Sequence, residues 1–191
     1  MNETNENIIE FKIILLGPIN GGKTCFIERL INNKFIEKCP SSKSFSNNNK
    51  KVTINNQKII FEIWDSVSFI NLPSIFYKGT NGVILIYSIR SKKNFDTLES
   101  LIKILEDETL IGIPIFLVGN KIDDEENREV SKEQGEKLAK KYGFIFSECS
   151  VKDGINIDEI FYKLAENIYY DCKNNEKLEE NLKILKKYIS F

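Results

Sequence analysis

Residues Gly17-Pro18-Ile19-Asn20-Gly21-Gly22-Lys23-Thr24 match the phosphate-loop pattern G-x-x-x-x-G-K-[ST] at every specified position. The chemistry such a loop serves is the binding of phosphoryl groups. Its glycines let backbone N–H groups close around an anion without interference from Cβ. Asn20, Gly21, Gly22, Lys23, Thr24 and the adjoining Cys25 are therefore the candidate phosphate-binding residues. Lys23 reaches the terminal phosphates and is the candidate catalytic group, while the Thr24 hydroxyl is a candidate Mg²⁺ ligand. Phosphoryl transfer depends on positioning and charge stabilisation more than on an acid–base pair, so the absence of histidine is no obstacle to it. Cys25, Cys39, Cys149 and Cys172 fall singly, which argues against structural zinc and a disulfide scaffold.

These groups need a scaffold, and the flanking sequence supplies one. Ile8 to Leu16 is apolar and largely β-branched, and Cys25 to Phe35 has Phe26, Leu30 and Ile31 at helical spacing. Strand, loop and helix follow in the required order, and the helix aims its positive end at the loop. Ile36 to Lys51, rich in Ser, Asn and Lys, reads as a mobile surface loop. Val52 to Asn55 and Lys58 to Trp64 read as antiparallel strands joined at Asn55-Asn56, because asparagine tolerates the left-handed backbone of tight hairpins. Asp65 then falls at the carboxyl edge of the sheet, where open α/β folds bind ligands; there it suits a carboxylate that holds Mg²⁺ through water.

Ser66 to Thr80 reads as irregular, and Gly82 to Ile89 as a buried parallel strand. A helix is expected over Lys93 to Asp107, with Phe95, Leu98, Ile102 and Leu105 on its core face. Ile113 to Gly119 is the next strand, and it delivers Asn120-Lys121-Ile122-Asp123 to the same edge. Ser131 with Gln134 signals a capping box for a helix ending at Tyr142-Gly143, and Phe144 to Cys149 is the last strand. Asn156 with Glu159 opens a further helix, whose buried stripe is Ile157, Ile160, Phe161, Leu164 and Ile168. Strands alternating with helices predict a doubly wound α/β sheet. Beyond Cys172, Leu178, Leu182, Leu185 and Ile189 are spaced four, three and four. That is an amphipathic helix outside the domain, which either packs back on it or binds a partner or adjoining domain.

The chain of 191 residues fits one domain, residues 8–172, with a helical extension over 173–191. A net charge of −1, with Glu and Asp interleaved among the lysines, gives no basis for a nucleic-acid site. No apolar run approaches the ~20 residues of a membrane span, and Met1 to Asn7 is polar and acidic rather than a signal sequence. A cytoplasmic location is expected.

Four separated motifs together resemble the Ras superfamily of small GTPases, over Phe11 to Tyr170. They are the loop Gly17 to Thr24, Trp64-Asp65-Ser66, the guanine-recognition motif Asn120-Lys121-Ile122-Asp123, and Cys149-Ser150-Val151-Lys152, which is similar to the loop that closes over the base. The resemblance implies the small-GTPase (P-loop NTPase) fold, a mostly parallel six-stranded sheet with helices on both faces, with GTP or GDP and Mg²⁺ bound. Asp123 can accept two hydrogen bonds from the N1–H and exocyclic amine of guanine, a donor pair that adenine lacks. By the same resemblance Lys121 lies along the base, Phe35 matches an aromatic packed edge-on against it, and Ser150, Val151 and Lys152 close the pocket. Ile75-Phe76-Tyr77-Lys78-Gly79 and Leu85-Ile86-Tyr87-Ser88-Ile89 resemble segments of Rab proteins, which implies regulation of membrane traffic, with regulators and effectors at two switch regions.

The departures from the family pattern bear on activity. The family continues its second motif with Asp-Thr-Ala-Gly-Gln, whose glutamine orients the attacking water; here the run is Asp65-Ser66-Val67-Ser68-Phe69. Ser68 keeps a backbone N–H, but Phe69 has no side-chain hydrogen bond for water. Ile19 stands where the family carries a small residue and would crowd a stabilising arginine from an activating protein. No threonine lies between Phe35 and Val52, so the metal-ligating switch residue is Ser41 or Ser42. Weak GTP hydrolysis is the expectation, with a catalytically silent, nucleotide-stabilised module as the alternative. The last cysteine is Cys172, so the prenylated cysteine ending of Rab proteins is not evident; the expectation is either membrane recruitment through a partner or that these residues are one part of a longer natural chain, and the terminal amphipathic helix suits both.

Overall fold

The computed structural model of the protein describes residues 8–37, 46–66, 72–108, 110 and 112–189, with 177–189 as helix backbone alone. Six strands form one sheet: β1 (Ile9–Leu16), β2 (Ser46–Ile54), β3 (Gln57–Asp65), β4 (Thr80–Ser88), β5 (Ile115–Asn120) and β6 (Ile145–Cys149). Their spatial order is β2-β3-β1-β4-β5-β6; β2 runs antiparallel to β3 and all other pairs are parallel. Among the described residues the α-helices are α1 (Lys23–Asn32), α2 (Ser74–Tyr77), α3 (Lys92–Asp96), α4 (Leu98–Asp107), α5 (Lys132–Tyr142) and α6 (Ile157–Ile189).

Apolar strands buried on both faces need cover on both. α1 and α6 supply it on one side through Phe26, Leu30, Phe161, Leu164 and Ile168, which pack on Ile13, Phe61, Ile84 and Phe116. The other side is closed by Phe95, Leu98, Leu101, Leu105 and Leu138, packed on Ile14, Leu85, Tyr87 and Leu117. The chain winds one way from β1 and the other way from β4, which are neighbours. The loop after β1 thus sits at the topological switch point, where such sheets leave a crevice at their carboxyl edge.

Several expectations hold in detail. Asn55 and Asn56 take φ 49° and 61°, the left-handed pair of a two-residue hairpin. Ser131 accepts from the Gln134 amide while the Gln134 side chain accepts from the Ser131 amide, a complete capping box, and Gly143 ends α5 at φ 72°. Others need correction. Ser46 to Lys51 is not a loop but the first part of β2, paired from Ser46 opposite Asp65 to Lys51 opposite Ile60. It lies at the sheet edge with mainly exposed side chains, so main-chain pairing holds it and no apolar alternation marks it. Ser66 to Thr80 contains α2. The helix expected over Lys93 to Asp107 is two helices meeting at Thr97, whose hydroxyl donates to the Asn94 carbonyl at 2.7 Å and competes with the helical ladder. Asn156 takes φ 62° and its side chain donates to the Glu148 carbonyl at 2.8 Å, while Glu159 pairs with Lys163, so the expected Asn156–Glu159 box is replaced by a tie to β6. The helix expected beyond Cys172 is present, as the continuation of α6, which runs 33 residues without a break.

Candidate nucleotide site

Close approach explains the glycines of the loop. A Cβ on Gly17 would stand 2.0 Å from the Ile86 carbonyl oxygen, and one on Gly21 2.8 Å from the same atom, so the loop lies directly on β4. Gly22, at φ 104°, caps the start of α1, and a Cβ there would meet Asn120 Nδ2 at 2.2 Å. Asn20 holds φ 64°, a left-handed conformation that asparagine tolerates better than most residues. The loop is thereby shaped by sterics on both sides.

Lys23 is 7% exposed, and its Nζ donates to the carbonyls of Gly17 at 2.8 Å and Pro18 at 3.2 Å. The ammonium is curled over the loop it follows. Burial lowers its pKa below the ordinary lysine value, and the nearby Asp65 carboxylate partly opposes that shift. Thr24 Oγ1 donates to Asp65 Oδ2 at 2.6 Å, which joins the start of α1 to the end of β3. Beside them, Ser66 Oγ donates to the Leu15 carbonyl at 2.9 Å. A hydroxyl and a carboxylate offer hard oxygen donors, and an Mg²⁺ ion takes one or two such protein ligands with phosphates and water completing the shell. The pair Thr24 and Asp65 fits that requirement.

The second half of the site hangs on Asn120, which is 2% exposed at the end of β5. Its Nδ2 donates to the Gly21 carbonyl at 2.9 Å, and its Oδ1 accepts from the amides of Lys121 at 2.7 Å and Val151 at 3.2 Å. One side chain thus links the phosphate loop to the Ser150–Lys152 loop. Asp123 Oδ1 accepts from Ser150 Oγ at 2.7 Å, and Ser150 Oγ accepts in turn from the Asp153 amide at 2.9 Å. Lys121 has φ 76°, and burial lowers its pKa, with Arg90 adding to the effect.

The sequence-predicted residues from Asn20 to Cys25, with Asp65, Asn120, Lys121, Asp123 and Ser150 to Lys152, therefore stand at the carboxyl edge of β1, β3, β5 and β6. Phe35 lies two residues past Asn33, the left-handed cap of α1, and is 39% exposed. Ser41, Ser42, Ser68 and Phe69 lie outside the described residues.

Sequence reasoning missed two supports. Arg29, half-buried in the last turn of α1, donates through Nε to the Val151 carbonyl at 3.0 Å and through Nη2 to the Lys152 carbonyl at 2.6 Å. Asn94 of α3 donates to the Ile19 carbonyl at 3.0 Å. Both bonds reach backbone carbonyls far away in sequence, and no local spacing announces that.

The arrangement has room at one end for a phosphate against the backbone amides of a helix N-terminus, and presents an oriented carboxylate at the other. In agreement with it, the family model described as Ras family matches residues 12–170. Ras-related protein Rab-12 of Mus musculus is 37% identical over 163 residues, covering 83% of this chain and 67% of that protein. Ras-related protein Rab-8 of Diplobatis ommata is 35% identical over 174 residues, covering 90% of this chain and 82% of that one. For Ras-related protein Rab-13 of Bos taurus the identity is 34% over 175 residues, with 87% and 86% covered.

Proposed function

The chain belongs to the Ras family of small GTPases and is Rab-like within it, and from that premise we propose a guanine-nucleotide-binding protein that holds GTP or GDP with Mg²⁺ and hydrolyses GTP slowly. The observation that carries this reading is the Asn120 bridge, which joins the loop of Gly17–Thr24 to the Ser150–Lys152 loop while Ser150 orients Asp123. A base seated against Asp123 and phosphates seated on the Gly21–Thr24 amides are thereby held in one fixed relation.

Lys23 supplies positive charge to the terminal phosphates by turning from the Gly17 and Pro18 carbonyls. Thr24 and Asp65 would hold the metal, which supplies charge neutralisation at the phosphate oxygens when bound. Slow hydrolysis rests on residue type: Phe69 replaces the water-orienting glutamine, and the Ile19 side chain, 58% exposed beside the phosphate loop, stands in the way of an incoming arginine. By kinship with Rab proteins, a role in vesicle traffic with recruitment through a protein partner follows.

A second reading, a module whose GTP and GDP forms are alike, draws support from the ties on α2. Lys12 Nζ donates to the carbonyls of Phe76 and Lys78, and Ser74 Oγ donates to Glu108 Oε1 at 2.9 Å. Equal hydrogen-exchange protection of 36–51 and 66–80 in both nucleotide states would favour it over a switch. The deciding experiment is nucleotide content and single-turnover hydrolysis on purified protein with Mg²⁺, with Asp123→Ala as the guanine-specificity control. Bound guanine nucleotide cleaved slowly is the expected result; rapid cleavage would remove Phe69 and Ile19 as the cause of a defect, and no binding would remove the proposal.

A further inference from the structure

Because α6 is one unbroken helix, the apolar positions on either side of Cys172 belong to one register. Ile157, Phe161, Leu164 and Ile168, spaced four, three and four, are buried against the sheet. The same spacing carried forward arrives at Asp171 and Asn175, and then at Leu178, Leu182, Leu185 and Ile189. Asp171 and Asn175 line a cavity of about 310 Å³ together with Asn81 and Pro114. Asn81 is the second residue of β4, so the helix passes the amino edge of the sheet there. Residues 177–189 carry its axis about 20 Å further. The four apolar positions thus form a second seam on the same helix face, separated from the core by a polar step and lying past the sheet that covers the first.

The charges beside this seam select what can cover it. In heptad terms Leu178 and Leu185 are d positions and Leu182 and Ile189 are a positions, which makes Glu179 and Lys186 the e positions and Asn181 and Tyr188 the g positions. A parallel pair of such helices sets g against e and creates no pair of opposite charges. An antiparallel pair sets e against e. With Leu178 level with Ile189 and Leu182 with Leu185, Glu179 lies two residues, about 3 Å of rise, from level with Lys186 of the second copy, within reach of the two long side chains, and the twofold axis repeats the match. We propose that residues 177–189 pair with the same residues of a second copy of this chain, as a short antiparallel two-helix seam. The dimer forms at the amino edge of the sheet, so both nucleotide sites, at the carboxyl edge, stay open. A seam shorter than three heptads makes this association reversible and concentration-dependent. A lipid surface is the less suited occupant, because Glu179 and Glu180 stand in the first half of the segment and Glu176 directly before it.

The test is sedimentation equilibrium of the full chain from roughly 10 to 500 µM, the range in which a small interface titrates. Reversible monomer–dimer behaviour is expected. Glu179→Lys alone or Lys186→Glu alone should weaken it roughly tenfold, since each replaces two attractive pairs with two repulsive ones. The double variant, with the charges exchanged, should restore it. Leu182→Asp should abolish dimerisation while circular dichroism stays that of the parent. A monomer at every concentration, or a double variant no better than the singles, overturns the proposal. So does a monomer that binds phosphatidylserine vesicles through Lys183, Lys186 and Lys187, which would assign the seam to lipid.

Discussion

A single buried amide side chain couples the two halves of the pocket, and its removal should be felt in both. Asn120→Ala leaves the Gly21 carbonyl and the Val151 amide without the partner they have at 2.9 and 3.2 Å. Buried groups left unsatisfied cost about 1–3 kcal/mol each, so the variant should lose about 2–6 kcal/mol of folding stability in urea denaturation and release GDP faster than the parent. Unchanged stability would mean that water replaces the amide and the bridge is not structural. Ser150→Ala is a milder change, because it removes one hydroxyl from Asp123 and from the Asp153 amide. Affinity for GDP should fall about tenfold with stability nearly kept, the signature of a mis-oriented carboxylate; a fall in stability equal to that in affinity would make Ser150 a folding residue instead. At this scale the sequence was legible wherever chemistry forces a residue type into a local pattern, as in Gly21 to Thr24. It was silent for Arg29 and Asn94, whose side chains serve carbonyls about 120 and 75 residues away.

Among the elements, α2 is the one whose freedom decides between a switch and a rigid module. It is only four residues long, too short to be stable by its own ladder, and it depends on Lys12 of β1. The Lys12 ammonium lies 4.6 Å from the centre of the Trp64 ring as well as donating to Phe76 and Lys78, and burial lowers its pKa against the pull of Glu62. Lys12→Met keeps the aliphatic stem and deletes the donor. Amide exchange over residues 74–78 should then accelerate at least tenfold while β4 stays protected, and equal protection in parent and variant would show that Ser74–Glu108 and the Trp64–Phe76 edge contact suffice. Element boundaries were readable where a side chain does the capping. Ser131→Ala should cost about 1 kcal/mol for that reason, as measured by chemical denaturation. They were not readable where the main chain does the holding: Ser46 to Asn49 joins the sheet through ladder bonds to Glu62–Asp65, and four polar residues at an edge carry no alternation to betray it.

For the molecule as a whole, the pocket is the place where segments from opposite ends of the chain meet. Gly17–Thr24, Asp65, Asn120–Asp123 and Ser150–Lys152 come from four strand ends spread over both halves of the sheet, and the two apolar clusters lie on opposite faces beneath them. A ligand that touches all four segments binds the folded state and not the unfolded chain, so its binding energy appears as stability of the entire domain rather than of one loop. At a thousandfold excess over its dissociation constant, GDP with Mg²⁺ should add about 4 kcal/mol. For a domain of this size that corresponds to a rise in Tm of about 8–16 °C over nucleotide-stripped protein. Chelation of the metal should reverse part of the rise if Thr24 and Asp65 hold it, and ADP should give little if, as proposed, Asp123 accepts the guanine donor pair that adenine lacks. A Tm indifferent to GDP would show that the folded chain does not bind the nucleotide, and equal shifts from ADP and GDP would place recognition in the phosphates alone.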